Sequence, residues 1–413
     1  MDNGRRGSPA PLRSMEDALD LLLARARPVS DVEVLDTASA LGRVLGQPLV
    51  STLDLPPWDN SAMDGYAVKT ADLRGGGGRL RVAQRIPAGG HGVPLESGTA
   101  ARIFTGAPLP DGADAVAMQE VCARDGEWVR IDAPVSPGEN VRTRGEDLKA
   151  GVRVLEAGTL LGPQHLGLAA SLGQPRLPVL RRVKVGIFSS GDELVMPGDE
   201  LIPGKIYNSN QFTLGGLLQL LGCECLNFGI IEDSLEATCT ALGRAAREVD
   251  LVLASGGVSV GEEDHVKPAV EALGTLELWQ LAIRPGKPLA FGHIGDTPFI
   301  GAPGNPVSLF VIFCLFARPF IRRMQGVAGD LAPRSLWATA NFDWPRAGGR
   351  REFARARLES GADGRPRVSV HPSRSSGVLS SLTWANGLAV IPENRTFVRG
   401  DSVQFIPFSE FLT

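Results

Sequence analysis

Cysteine is scarce in this chain: five in 413 residues, Cys122, Cys223, Cys225, Cys239 and Cys314. No two stand in C-x-x-C spacing or form a pairing framework, so neither a disulfide scaffold nor a zinc ribbon is expected. Reduced, mostly buried thiols in a cytoplasmic protein are expected. Histidine is equally sparse, five residues without H-x-x-x-H spacing, which leaves no zinc-helix signature. An excess of one charge is also missing. The formal net charge is −4 and the pI is near 5.9, which argues against a general nucleic-acid binder but leaves small anionic ligands open to local loops. Long hydrophobic runs are lacking too: the longest predominantly apolar stretch, 307–317, is too short to span a bilayer, and residues 1–6 adjoin no apolar core of signal-peptide type. A soluble, cytoplasmic protein with no nucleic-acid or membrane partner is expected.

What the sequence does have is length, apolar content and turns. Hydrophobic residues make up 43%, enough for globular cores, and 413 residues suggest about two to four of them. Fifty glycines and thirty prolines point to many turns and short strands. Residues 1–13 read as a disordered tail. Ser14 then caps a helix with Asp17 three residues on, its apolar face formed by Ala18, Leu19, Leu22 and Leu23. A strand over 32–35 and a second helix over 37–45 follow. The stretch 54–68 carries two prolines, Trp58 and the polar set Asp59, Asn60, Ser61 and Asp64, more hydrogen-bonding capacity than a turn needs, although an Asx-turn loop accounts for it as well. Short alternating runs at 79–83, 101–104, 115–119 and 127–131 predict a β-rich unit over 51–147, inserted between mixed parts at 14–50 and 148–180. Thr105-Gly-Ala-Pro ends one of these strands, and Arg142, Arg144, Glu146 and Asp147 share a mixed-charge loop.

From residue 181 strands alternate with helices to about 328, the pattern of a doubly wound α/β domain. Strands over 183–188, 225–230, 249–254, 276–281, 289–293 and 298–300 and helices over 208–221 and 235–248 lead to one long helix ending near Arg323. Ligands bind such sheets beyond the carboxyl ends of the strands. There the chain places Ser190-Gly191-Asp192-Glu193, Asp233, Ser255-Gly256-Gly257 with Ser259 and Gly261, then Asp264, Lys267, Arg284, Lys287 and Pro303-Gly304-Asn305 with Ser308. Glycines and hydroxyls suit an anion cradle, and the acids beside it are poor electrostatics unless a cation lies between, so a phosphate and divalent-metal site is read there. Asp192, Glu193, Asp233 and Asp264 are the expected metal set. The plainer reading of the 255–264 loop alone is a glycine-rich turn feeding an acidic helix N-terminus. Beyond 329, short strands at 335–342, 352–358, 368–371, 388–391 and 402–406 form a small β domain to 413, with Arg346, Arg350, Arg351, Arg355 and Arg357 as either a solvated face or an anion contact.

Taken together, Asp59-Asn-Ser-Ala-Met-Asp-Gly-Tyr-Ala-Val, Thr105-Gly-Ala-Pro, Arg144-Gly-Glu-Asp, Ser190-Gly-Asp-Glu-Leu, Ser255-Gly-Gly-Val-Ser-Val-Gly-Glu, Pro285-Gly-Lys-Pro and Pro303-Gly-Asn-Pro-Val-Ser resemble the molybdopterin molybdenumtransferases, the MoeA family that includes the E domain of gephyrin. The motifs keep the family's order and span nearly the whole chain. The resemblance implies a central α/β domain of molybdopterin-binding type and a C-terminal domain like a β-barrel. It implies Mg²⁺-dependent cleavage of adenylylated molybdopterin, with molybdate transferred to the dithiolene and AMP released. It also implies an elongated homodimer whose active site joins the α/β domain of one subunit to Asp59, Thr105 and Arg144 of the other. A molybdopterin adenylyltransferase and apo molybdoenzymes or their chaperones are the expected partners. Two departures stand out: Arg284 replaces the lysine usual before Pro-Gly-Lys-Pro, a planar guanidinium for a point charge, and His265-Val266 replaces Tyr-Thr. Two other functions fit part of the chain. An adenylyltransferase shares the α/β domain but leaves the Asp59 motif, the Arg144 loop and the β tail unused; a non-catalytic scaffold leaves the acids unused.

Overall fold

A computed structural model describes residues 12–73, 77–232, 234–257, 265–361 and 363–412. The first helix is Met15–Leu23, where the Asp17 N–H donates to Ser14 Oγ at 3.0 Å and Ala18, Leu19 and Leu22 are buried. The chain then runs out and back along itself. Val32–Asp36 pairs antiparallel with Arg176–Leu180, Leu49–Val50 with Arg153–Leu155, and Asn60–Ser61 with Val141–Arg142. Such nested pairing is what an insertion produces. At its far end lies a six-stranded sheet in the order Ala115–Met118, Gly65–Val68, Thr99–Ile103, Gly78–Ile86, Trp128–Ile131, Cys122–Asp125.

The helix expected over 37–45 does not form beyond the short turn Thr37–Ser39. Tertiary partners take its backbone donors instead: Gly42 N–H bonds Leu161 O at 2.8 Å, Leu45 N–H bonds Thr159 O at 2.9 Å, and Gly42 adopts φ +71°, which breaks a helix.

The central sheet has the order Glu224–Ile231, Lys184–Ser190, Leu251–Ser255, Thr297–Ala302, Pro288–Ile294, Gly274–Gln280. The first four strands are parallel, and the last two add antiparallel at one edge. Asn210–Leu220, Met15–Leu23 and the helical run 306–324 cover one face around Phe291, Phe316 and Phe320; Leu235–Glu248 and Val266–Leu273 cover the other around Phe188, Leu242 and Phe299. The long helix is interrupted: Phe313–Ala317 forms a π turn just before Pro319, which has no N–H for the Leu315 carbonyl. No helix among the described residues is long and apolar enough to cross a membrane.

The C-terminal strands Arg351–Ser360, Pro366–Val370, Leu336–Ala340, Ser402–Pro407 and Gly387–Ile391 close into a barrel, since the last pairs back with the first. Ile283–Arg284 adds in parallel to Arg351–Glu352 and pins this barrel to the α/β sheet. The cysteines are all free, but only Cys314 is buried and Cys225 is exposed on the edge strand Glu224–Ile231, a correction to the expected burial. Loss of water around the thiols pushes Cys122 up to about 11 and Cys223 up to about 12.

Candidate active site

Strand direction decides which loops meet. Lys184–Ser190, Leu251–Ser255 and Thr297–Ala302 are parallel, so the turns after them open on one edge of the sheet. Pro288–Ile294 runs the opposite way, which brings its first residues, and the 281–287 turn before them, to that same edge. The result is one cleft with two lobes that share Gly257, Gly304 and Asn305. The first lobe, ≈ 500 Å³, is lined by Arg284, Lys287, Ser308, Arg350 and Arg374 among others. The second, ≈ 790 Å³, is lined by Ser190, Gly191, Asp192, Glu193, Asn208, Asn210, Ser255 and Gly256. The cleft is therefore cationic at one end and acidic at the other.

Backbone approach explains the glycines. Gly256 has φ +89° and a Cβ there would lie 2.7 Å from the Ser190 carbonyl oxygen, so these two loops touch only because no side chain separates them. Asn210, at the start of the helix Asn210–Leu220, donates from Nδ2 to Ser255 Oγ at 2.8 Å and to Gly304 O at 2.7 Å, tying the two loops together. Ser189 Oγ donates to Asn208 Oδ1 at 3.3 Å beneath them. Neither asparagine was singled out as a site residue from the sequence; the available signal was Tyr207-Asn-Ser-Asn between a strand and a helix.

The C-terminal barrel supplies the outer wall. Val307 N–H bonds Ser376 O at 3.0 Å, so the loop carrying Arg374, Ser375 and Ser376 sits on the start of the helix Pro306–Ile312. Arg350 lines the cleft while donating to Ile283 O. Three of the expected arginines are structural instead: Arg351 pairs with Glu16 and Glu393, Arg355 is buried on Ser373 O, Ser375 O and Ser381 Oγ, and Arg357 lies against Trp384, while Arg346 is exposed. Sequence reading missed Arg374, Ser375 and Ser376, because they stand outside any regular strand and share no motif with the α/β loops.

The N-terminal loops form a second group. Asp59 Oδ1 accepts from Arg144 N–H at 2.7 Å, and Asp64 Oδ1 accepts from both the N–H and the hydroxyl of Thr105 at 2.8 Å. Arg144 Nε reaches Asp54 at 2.6 Å. The Thr105 hydrogen bonds, backbone first, hold the Asp64 carboxyl below the usual carboxylate range, and the Ala150 N–H and Arg144 do the same for Asp54. Three loops distant in sequence are thus brought together, with Asp59, Thr105, Arg142 and Arg144 exposed. None of the described residues lining the cleft comes from 51–147.

Of the expected metal carboxylates, Asp192 and Glu193 stand at the acidic end of the cleft, while Asp233 and Asp264, together with the cradle residues Ser259 and Gly261, lie outside the described residues. Among the described residues no three His, Cys, Asp or Glu side chains form a metal-holding group. Lys267 stands in the first turn of Val266–Leu273 and is not among the described residues lining the cleft.

Comparison with known proteins finds three family matches along the chain. Residues 13–173 match the MoeA N-terminal region (domains I and II), 186–323 a probable molybdopterin-binding domain, and 338–408 the MoeA C-terminal region (domain IV). The chain is 37% identical over 406 residues to a molybdopterin molybdenumtransferase of Haemophilus influenzae, covering 97% of this chain and 99% of that one. It is 40% identical over 367 residues to molybdopterin molybdenumtransferase 2 of Mycobacterium tuberculosis, covering 86% and 89%. A molybdopterin biosynthesis MoeA protein of Pyrococcus horikoshii superposes with a TM-score of 0.83 at 32% identity, over 96% of this chain and 100% of that one. With family models along its length and relatives 37–40% identical over most of it, the chain belongs to the molybdopterin molybdenumtransferase family.

Proposed function

We propose that this protein inserts molybdenum into the dithiolene of molybdopterin, using adenylylated molybdopterin and molybdate as substrates, cleaving the adenylate with Mg²⁺ and releasing AMP and molybdenum cofactor. Family membership already makes it a transferase of molybdenum cofactor biosynthesis. The finer reading rests on one observation: a single cleft sets Arg284, Lys287 and Arg350 at one end and Asp192 and Glu193 at the other, with glycine-lined loops between them. The cationic end suits tetrahedral oxyanions, and Gly256, Gly257 and Gly304 put no side chains on the stretch of cleft wall between the two ends, where a ligand and its phosphates could lie against backbone.

The acidic end fits Mg²⁺ by donor chemistry, since exposed carboxylates on a turn beside the Ser190 hydroxyl are hard oxygen donors. In this reading Asp192 and Glu193 hold the ion with Asp233 and Asp264, and the bound ion would neutralise charge on the pyrophosphate. Lys287 and Arg284 then hold the anionic end of the substrate, while the Ser255 and Asn305 loops orient it. A homodimer completes the site, with Asp59, Thr105 and Arg144 of the second copy facing the cleft; the support is that these residues are exposed and are not among the described residues lining this cleft.

Purified protein given adenylylated molybdopterin, Mg²⁺ and molybdate is expected to release AMP and to form cofactor that activates an apo molybdoenzyme. Asp192→Asn should lower AMP release by about 100-fold or more. Its folding stability should stay within about 0.5 kcal/mol of wild type, because the side chain is exposed. Absence of AMP release from the wild-type protein would overturn the function, and full turnover in the variant would remove Asp192 from it.

A further inference from the structure

Arg374 is held in an unusual way for a surface arginine. Its Nε donates to Glu352 Oε1 at 3.0 Å and its Nη2 to Glu352 Oε2. Glu352 is a buried carboxylate, only 5% exposed. The guanidinium carbon lies 4.3 Å from the centroid of the Trp344 ring. Trp344 is itself buried and exchanges backbone hydrogen bonds with Phe397 at 2.7 and 3.1 Å. A guanidinium has five N–H groups, so two are spent on Glu352 and three remain. Among the described residues no protein atom accepts from those three, and the side chain lines the cationic lobe of the cleft.

The loop around it is braced from below. Arg355, 2% exposed, donates to Ser373 O at 2.6 Å and to Ser375 O at 3.0 Å, turning both carbonyls into the barrel. Ser376 O is taken by Val307 N–H. Carbonyl oxygens that would repel an anion are thus drawn away from the lobe. Glu352 offsets one positive charge, and Arg284, Lys287 and Arg350 still leave that lobe cationic.

We propose that Arg374, oriented by Glu352 and by the face of Trp344, binds a tetrahedral oxyanion in the cleft, so that the C-terminal barrel contributes directly to substrate binding. The proposal rests on the function given above. Two anions share this chemistry, a metal oxyanion such as molybdate and the phosphate of AMP. A planar fork suits either, because its parallel N–H groups meet two oxygens at once. The competing account is that Arg374 only neutralises Glu352.

Removing Arg374 alone would strand a buried carboxylate, so the test uses the double variant Glu352→Gln/Arg374→Gln in the full-length chain, with Arg374→Lys beside it. Calorimetric titration with sodium molybdate and, separately, with AMP reads the two sources. A loss of tenfold or more in molybdate affinity with AMP within twofold assigns the metal oxyanion; the reverse pattern assigns the phosphate. Arg374→Lys should recover less than half of the lost affinity, since an ammonium cannot make the fork. Unchanged affinity for both anions in the double variant overturns the proposal, as does failure of the wild-type chain to bind either anion. Wild-type AMP release judges the proposed function separately, so that function survives if only the Arg374 arm fails.

Discussion

Asp250 shows how much one side chain can organise away from the cleft. It follows the helix Leu235–Glu248 and accepts two hydrogen bonds from Arg181, at 2.7 and 2.8 Å, and one from Lys184 N–H at 2.8 Å. Arg181 also reaches Asp31 at 2.8 Å, so this arginine joins the N-terminal ribbon to the base of the central sheet. Burial alone would raise the Asp250 carboxyl, but the Arg181 and Lys184 hydrogen bonds and charges outweigh it and hold it below 3.8. A depressed carboxyl contributes stability above its unfolded value, and that contribution is lost as pH falls through the folded one. Asp250→Asn should therefore cost about 2 kcal/mol at pH 7, measured by urea unfolding. The difference from wild type should begin to shrink as pH falls below about 4, the unfolded carboxyl's value, and be gone below the depressed folded one. A variant whose deficit is constant from pH 7 to pH 3 would show that the charge plays no part.

At the scale of elements, the loops that touch across the cleft make separable predictions. Gly256 combines φ +89° with a Cβ path that ends 2.7 Å from Ser190 O, so Gly256→Ala should strain the backbone and part the loops, costing about 1–3 kcal/mol. A Cβ at Gly304 would meet only Gly256 Cα, at 3.8 Å, an ordinary contact. Gly304→Ala should leave stability within about 0.5 kcal/mol while a methyl group narrows the cleft and weakens AMP binding at least threefold by calorimetry. Equal binding in that variant would show that ligand does not lie against Gly304. The strands and most helices around them were legible in the sequence, because period and punctuation agreed: the Ser14 cap, the alternating runs at 79–83 and 127–131, and the barrel strands all stand where pattern placed them. The 37–45 stretch was not, because its backbone donors are claimed by residues 159–178, which no local pattern reveals. The cleft was half legible. Motifs at strand ends pointed to Asp192, Ser255, Lys287 and Asn305, whereas Asn210 and Arg374 act through packing between distant segments.

For the whole molecule, the open matter is the cluster of Asp59, Thr105 and Arg144, assembled with care and yet apart from the cleft of its own chain. Nested ribbons join the inserted sheet to the rest of the chain, and its loops are not among the described residues lining the cleft, which is why we look to a second surface for them. If that surface is the α/β edge of a second copy, each active site takes Asp59 from one chain and Asp192 from the other. An Asp59→Ala chain mixed with an Asp192→Ala chain then builds heterodimers in which one site lacks both groups and the other keeps both. AMP release should return to about a quarter of wild type when the chains associate at random, since half the dimers are mixed and each carries one whole site. If each chain instead used its own Asp59 and Asp192, every site in the mixture would lack one group. No recovery in a sample shown by native mass spectrometry to contain heterodimer would place the site within one chain.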